Sequence, residues 1–397
     1  MSIFIQIASY RDPQLVPTIR DCLKQADSPR NLVFCIAWQH SENENLEEFR
    51  THPQVKVIDI DYRNSQGACW ARNQIQQQYK GEKYTLQLDS HHRFIRGWDT
   101  KCITMMNQLK KKGISKPLLT GYLPSFDPNN DPASRINQPW SMVYDHFTPE
   151  GIVLFLPKTI DNHTKLHEPI IAHFYSGHFC FTLGQFCQEV PHDPNYYFHG
   201  EEISISARAF TWGYDLFHPH QVIAWHEYTR QGRSKHWDDQ VKWHEKDMVC
   251  QQRNQCLFSM NSKKYESINW GPFGFGTIRS LQDYETYTGI DFKKRGLKPS
   301  VISQFKHCVL LPLSSVPYND YDCWCISFES NDGSVINSID INERECRSLL
   351  NNTRNPVFVE IWCEFDCEKQ PDKVVTSLHS RNHGWGDRIT YYFKKYV

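Results

Sequence analysis

Short apolar runs alternate with helical patterns through residues 1–130, and this alternation limits the fold more than any other feature of the chain. Residues 3–8 read as a buried strand, and Asp12-Pro13 caps and opens a helix that continues to about residue 25. Residues 32–38 and 55–60 are further strands, 69–79 have helical character, and 84–88 form a fourth strand. Strand and helix in this order predict an α/β fold on a mostly parallel sheet. Residues 125–139, rich in Asp, Asn, Pro and Ser, read as a surface loop. The pattern resumes over 170–230 with a Gly-containing strand, an acidic helix start and a final strand at 222–225.

The pattern changes near residue 295. Lys298-Pro299-Ser300 reads as a linker, and short β-type segments follow at 308–313, 322–327, 357–363 and 389–393. Turn signals such as Asn331-Asp332-Gly333 separate them, and no helix longer than 343–350 is evident. Residues 300–397 therefore read as a β-sandwich-like accessory domain behind an α/β domain at 1–298. A chain of 397 residues is long enough for two cores.

Net charge is −1, and no Lys/Arg run marks a nucleic-acid partner. No apolar stretch has membrane-spanning length, and the chain enters a strand at once with no signal peptide. The expected location is cytoplasmic, or the inside of a host cell if the chain is a delivered effector. Fourteen cysteines in that setting predict reduced, buried thiols. Cys323, Cys325, Cys363 and Cys367 have a spacing that a four-thiolate zinc site can use, but thiols packed on alternating strands account for it as well.

The fourth strand ends in Leu86-Gln87-Leu88-Asp89-Ser90-His91-His92. A carboxylate and, two residues later on the same side of an extended chain, an imidazole stand where open α/β sheets bind ligands. This pair suits a divalent ion such as Mn2+, which can hold a diphosphate. His226, in Trp225-His226-Glu227-Tyr228, can complete an Asp89/His91/His226 metal site. Ala8, Ser9, Tyr10 and Arg11 follow the first strand, where small residues let a base approach and Tyr10 and Arg11 can stack on it or meet its phosphates. An ordinary turn with Asp12 as N-cap explains the same residues. Gly67 opens a helix whose N-terminus can attract phosphate, with Arg72 about one turn in, although a surface Arg on an amphipathic helix explains the same residue. Glu201 and Glu202 open another helix, where they stabilise its dipole or reach a sugar or acceptor hydroxyl.

Several ordered motifs carry a family resemblance: Ala8-Ser9-Tyr10-Arg11-Asp12-Pro13, Gly67-x-x-Trp70-Ala71-Arg72, Gln87-Leu88-Asp89-Ser90-His91-x-Arg93-Phe94-x-x-Gly97-Trp98-Asp99, Gly200-Glu201-Glu202 and Trp225-His226. Gly276-Thr277-x-Arg279-x-Leu281-x-Asp283-Tyr284-Glu285 and Gly289-Ile290-Asp291-Phe292 continue the series. Over residues 1–298 the chain resembles glycosyltransferase family 60, the polypeptide α-N-acetylglucosaminyltransferases, distant cousins of the polypeptide GalNAc-transferases. The resemblance implies a GT-A fold, Mn2+, UDP-GlcNAc as donor, retention of anomeric configuration, and a hydroxyproline, Ser or Thr acceptor on a polypeptide. It assigns Asp89, His91 and His226 to the metal, with Asp89, Glu201 and Glu202 as catalytic candidates. Ala8, Ser9, Tyr10, Arg11, Gln39, Gly67, Arg72, Ser90, Gly177 and His178 are the candidate donor contacts, and Arg208 matches a downstream Arg of the cousins. Where the cousins have a second Gly this chain has His178, so the donor sugar can sit differently. Residues 300–397 lack the cousins' lectin repeats. A metal-dependent sugar-nucleotide hydrolase and a catalytically silent sugar- or peptide-binding protein are the alternatives.

Overall fold

The computed structural model describes residues 2–230, 232–260, 268–297, 305–312, 321–352, 358–365 and 371–392. The linker motif Lys298-Pro299-Ser300 lies outside them. The chain divides into two compact units, Met1–Gly296 and Leu297–Val397.

The first unit opens with strand β1 (Ile3–Tyr10), helix α1 (Leu15–Gln25), β2 (Leu32–His40), the short α2 (Glu47–Arg50), β3 (Val55–Asp61), α3 (Ala68–Gln76) and β4 (Tyr84–Asp89). There follow β5 (His92–Phe94), α4 (Trp98–Lys111), β6 (Pro117–Thr120), the hairpin of β7 (Trp140–Phe147) and β8 (Val153–Thr159), β9 (Ile170–Ile171) and β10 (Phe179–Leu183). The unit continues with α5 (Phe186–Glu189), α6 (Glu201–Thr211), β11 (Asp215–His218), β12 (Ala224–His226), α7 (His236–Asp239), α8 (Trp243–Leu257) and α9 (Leu281–Thr288). Eight strands form one sheet in the order β3-β2-β1-β4-β10-β6-β11-β9. Its first four strands pair in parallel, β6 and β11 also run parallel, and β10 enters antiparallel between β4 and β6. This is the mixed α/β, mainly parallel architecture of GT-A enzymes.

The two-residue period of β1 explains why its run is apolar on both faces. Ile3, Ile5 and Ile7 pack with Leu15 and Ile19 of α1 and with Trp98, Cys102 and Met106 of α4. Phe4, on the opposite face, packs with Ala71 and Ile75 of α3. On β4 the alternation sends Leu86 and Leu88 to the α1/α4 side. Asp89, out of phase with them, faces α3.

Three local expectations need correction. Helix α1 begins at Leu15, and the Asp12 carboxylate receives the Gln14 N–H at 2.8 Å instead of capping a helix that starts at Pro13. The chain is not extended through His91: β4 ends at Asp89, Ser90 bends, and β5 starts at His92. The strand expected at 222–225 is β12, and it pairs with β5 outside the central sheet.

In the second unit, Phe305–Pro312 pairs antiparallel with Phe358–Phe365. A separate sheet runs in the order Val335–Asn342, Cys323–Glu329, Lys373–Ser380, Gly384–Trp385, with Ile389–Tyr392 also on Lys373–Ser380. Leu311 and Ile361 from the pair, Trp324, Ile326, Phe328 and Val374 from the sheet, and Cys346 from helix Glu343–Asn352 share one core. Cys323 and Cys325 lie on an interior strand of the sheet and Cys363 on the separate pair, while Cys367 lies outside the described residues. Among the described residues, no grouping of metal-type ligands includes Cys323 or Cys325.

Candidate functional site

The C-terminal ends of β1, β2 and β4 open into a cavity of about 900 Å³ in the first unit. Open α/β sheets bind ligands at this edge because the helix connections leave a crevice there. Asp89, Ser90, His91, His226, Arg72, Glu201, Glu202, Gly177, His178, Ala8, Tyr10, Gln39 and Gly67 all line it. Ser9 and Arg11 do not. The Ser9 carbonyl accepts a hydrogen bond from Gln39 Nε2 at 3.1 Å, and Arg11 pairs with Asp239 at 2.8 Å.

Asp89, His91 and His226 each present a ligand atom, and these atoms lie within 4.8 Å of one another. Asp89 Oδ2 is 3.8 Å from His91 Nε2 and 3.5 Å from His226 Nε2. Ligands each about 2.1 Å from one ion at right angles stand about 3 Å apart, so small side-chain rotations close this set around a cation. Among the described residues, Nδ1 of the buried His226 has no hydrogen-bond partner, and Nε2 has no hydrogen-bonding contact closer than Asp89 Oδ2 at 3.5 Å. An imidazole so placed in a carboxylate-imidazole set fits a divalent ion.

The His91 tautomer is set from behind. Buried Asp12 faces His91 Nδ1 at 2.7 Å, so Nδ1 donates and Nε2 keeps its lone pair toward Asp89. Carboxylates in this position orient metal-binding histidines. Asp12 also receives Ser90 Oγ at 2.7 Å and Arg233 Nη1 at 3.2 Å. Burial opposes its charge, but His91, Arg233 and Ser90 together hold the Asp12 carboxyl at about 2. Arg233 Nη1 is 2.6 Å from His91 Nδ1 and 3.1 Å from Nε2. These similar distances place it against the ring and off the axis of either lone pair.

Arg72 is 5% exposed and turned inward. One arm donates to Asp89 Oδ1 at 2.8 Å and the other to Glu201. Its charge therefore balances two carboxylates of the cavity wall. Desolvation works against ionised Asp89, yet His226, Arg72 and His91 hold its carboxyl well below the usual range. Glu201 also receives the Cys69 thiol at 2.6 Å. Glu202 accepts from Gly177 N at 2.8 Å and Tyr122 O–H at 3.1 Å. Burial, reinforced by Glu201, pushes the Glu202 carboxyl up to about 7 despite the Gly177 N–H.

His178 stacks on His226 with ring centroids 4.2 Å apart. Its Nε2 accepts the Leu123 N–H at 3.0 Å and Nδ1 lies 3.2 Å from Ser176 Oγ, so both nitrogens are engaged. Burial holds it neutral, at about 3. Arg208 is fully buried, donates to the Pro272 and Gly274 carbonyls, and does not line the cavity.

Residues beyond the sequence reading complete the cavity. A hydrogen-bonded chain joins Tyr197 O–H, His236, Ser65 and the Gln39 amide beside the β1 and β2 ends. Tyr122, Trp140, Tyr228, Trp237 and Phe198 add aromatic walls, and Arg230, Arg233 and Lys235 supply cations. Tyr197, Phe198, Tyr228, Arg230, Arg233, Lys235, His236 and Trp237 cluster in the chain near Gly200-Glu201 and Trp225-His226, whereas Ser65, Tyr122 and Trp140 carry no such signal.

A family model described as Glycosyltransferase (GlcNAc) matches residues 2–52 and 44–294. The crystal structure of GalNAc-T7 with UDP, GalNAc and Mn2+ is similar in fold, with a TM-score of 0.50 and 14% identity, over 99% of this chain and 72% of that one. S. aureus TarS 1-349 in complex with UDP-GlcNAc gives a TM-score of 0.39 and 13% identity, over 60% of this chain and 61% of that one. No curated protein matches the chain in sequence. The family match covers well over half of the chain and contains every residue of the metal-type set. The chain belongs to the glycosyltransferase family described as Glycosyltransferase (GlcNAc).

Proposed function

We propose that the protein transfers GlcNAc from UDP-GlcNAc, with retention, to a hydroxyl of a polypeptide, using a divalent cation held by Asp89, His91 and His226. The observation that carries this reading is the convergence of those three ligand atoms on the cavity, with Asp12 orienting His91 and His226 Nε2 facing Asp89. The family name supports the sugar, and the crystallisation of GalNAc-T7 with UDP, GalNAc and Mn2+ supports a metal-dependent UDP-sugar reaction. When bound, such an ion supplies positive charge to the departing diphosphate. Arg72 keeps Asp89 ionised and holds Glu201 in place beneath Gly177. Tyr10, Gln39 and Gly67 line the part of the cavity suited to the base and ribose. Glu202 presents an oxygen beside Gly177, where it can orient a sugar hydroxyl. Residues after 298 are assigned to acceptor recognition or assembly, because all proposed donor contacts lie before them.

UDP release from UDP-GlcNAc, UDP-GalNAc and UDP-Glc tests the reading, with and without Ser-, Thr- and hydroxyproline-containing peptides, in Mn2+ and in EDTA. Preference for UDP-GlcNAc, dependence on Mn2+ and a mass increment on peptide are expected. Free sugar formed at the same rate whether or not peptide is present would identify a hydrolase instead.

A further inference from the structure

One imidazole of the cavity has no part in the arrangement above. His199 lines the cavity just ahead of α6 and is substantially exposed. Its Nδ1 is 2.8 Å from Asp247 Oδ1 on α8. Asp247 is 6% exposed, and its other oxygen receives Gln251 Nε2 at 3.2 Å. The carboxylate accepts the Nδ1 proton, and in the neutral ring this tautomer has its lone pair on Nε2. The pair partners the buried Asp247 carboxylate and at the same time fixes a ring that forms part of the cavity wall.

The surrounding wall indicates what Nε2 meets. Gly200 sits against Ile152, so the His199 segment adjoins the start of β8, whose Val153 and Leu154 also line the cavity. Phe198 packs edge-on against His199 at 5.0 Å and against Trp237 at 5.5 Å. This wall is mainly apolar and aromatic; of the cations that follow β12, Arg230 lies over the outer Trp237 ring at 5.5 Å, while Arg233 is tied to Asp12 and Glu227 on the metal-ligand side. A diphosphate is drawn to the cations. An oriented acceptor atom set in an apolar, aromatic wall suits an uncharged hydroxyl on a polypeptide.

Building on the proposed polypeptide transfer, we infer that His199, oriented by Asp247, contacts the acceptor and accepts a hydrogen bond from the hydroxyl that receives the sugar. Asp247 is a positioning residue for it. The imidazole holds the hydroxyl oxygen in place and takes no proton in this assignment.

The test uses the full chain with UDP-GlcNAc, Mn2+ and an equimolar library of Ser-, Thr- and 4-hydroxyproline-containing peptides. For His199→Ala, kcat/KM for peptide should fall about 10-fold or more, the scale of one lost hydrogen bond, while the KM for UDP-GlcNAc moves less than about 2-fold. His199→Gln, which keeps an acceptor atom, should recover part of the loss. Asp247→Asn should give a smaller loss, and the His199→Ala/Asp247→Asn double variant should be no worse than His199→Ala alone. Unchanged peptide kcat/KM in His199→Ala, an equal change in donor KM, or fully additive losses would each overturn the assignment. Wild-type protein that releases free GlcNAc but modifies no peptide would instead overturn the polypeptide reading, and this inference with it.

Discussion

At the scale of the residue, the site is governed by which charges are paired. Asp12 shows this most directly, because its carboxylate meets His91, Ser90 and Arg233 together. Removing its charge frees the His91 ring and its tautomer. Asp12→Asn should weaken Mn2+ binding about 10- to 100-fold, as measured by isothermal titration, and unchanged affinity would rule out the orienting role. Arg72 tests the second pairing. Replacing it by Ala leaves Glu201 without its cation in a buried wall. Breaking a buried pair from one side costs about 3–5 kcal/mol, so Arg72→Ala should lower the thermal midpoint strongly even without ligands. A midpoint within about 2 °C of wild type would show that Glu201 does not depend on Arg72.

At the scale of the element, the start of α3 forms the cavity floor through one backbone conformation. Gly67 has φ of +114°, and a Cβ there would lie 2.9 Å from the Tyr197 carbonyl oxygen and ring. Any side chain must therefore shift Tyr197, whose hydroxyl meets His236. Gly67→Ala should cost about 1–3 kcal/mol through the strained backbone and weaken UDP binding, as read by chemical denaturation and fluorescence titration. Wild-type stability would mean that the Tyr197 segment yields freely. The β7–β8 hairpin shows the opposite relation between element and site. It stands off the central sheet, yet Trp140, Val153 and Leu154 reach the cavity from it.

At the scale of the whole molecule, buried neutral histidines set the response to acid. Burial is the main cause that lowers His178 to about 3 and His218 to about 4, and it also holds His92 and His226 well below the ordinary value of 6.5. Unfolding lets each of them take a proton near pH 6.5, so the unfolded chain binds more protons than the folded one below that pH. Their stabilising contribution is complete above pH 6.5 and is lost as the pH falls toward 3–4. Glu202 acts in the other direction: with its folded value raised to about 7, stability falls as the pH climbs from about 4.5 to 7. His173, His192, His220 and His236 are lowered as well, so among the described residues eight imidazoles oppose the one raised carboxyl, and calorimetry without metal should show the melting temperature falling between pH 6.5 and 4. A flat profile would contradict the burial of these rings. The division at Gly296 gives a second expectation. A fragment ending at Gly296 should still bind UDP and Mn2+, because every cavity residue precedes it, but should transfer poorly to a protein acceptor. A well-folded fragment that does not bind UDP would show that the donor site needs the second unit.

The sequence by itself determined the parallel frame and the metal-type set. Continuous apolar strands need helices on both faces, and Asp89, His91 and His226 stand at or just after strand ends. Val335–Asn342 and Lys373–Ser380 were not legible, because polar residues such as Asn337, Ser338 and Ser377 interrupt their alternation, and cross-strand pairing together with core residues such as Ile341 and Val374 holds the register. Only the tertiary structure decided the roles of individual charged side chains. Asp12 reads locally as a turn carboxylate, and its partner His91 is 79 positions away. Arg72 reads as a phosphate ligand until Glu201, 129 positions away, takes one of its arms. His199 and Asp247 are 48 positions apart on separate elements, with no periodicity joining them. Periodicity records which face of an element is buried, whereas pairing between distant side chains depends on how the elements pack.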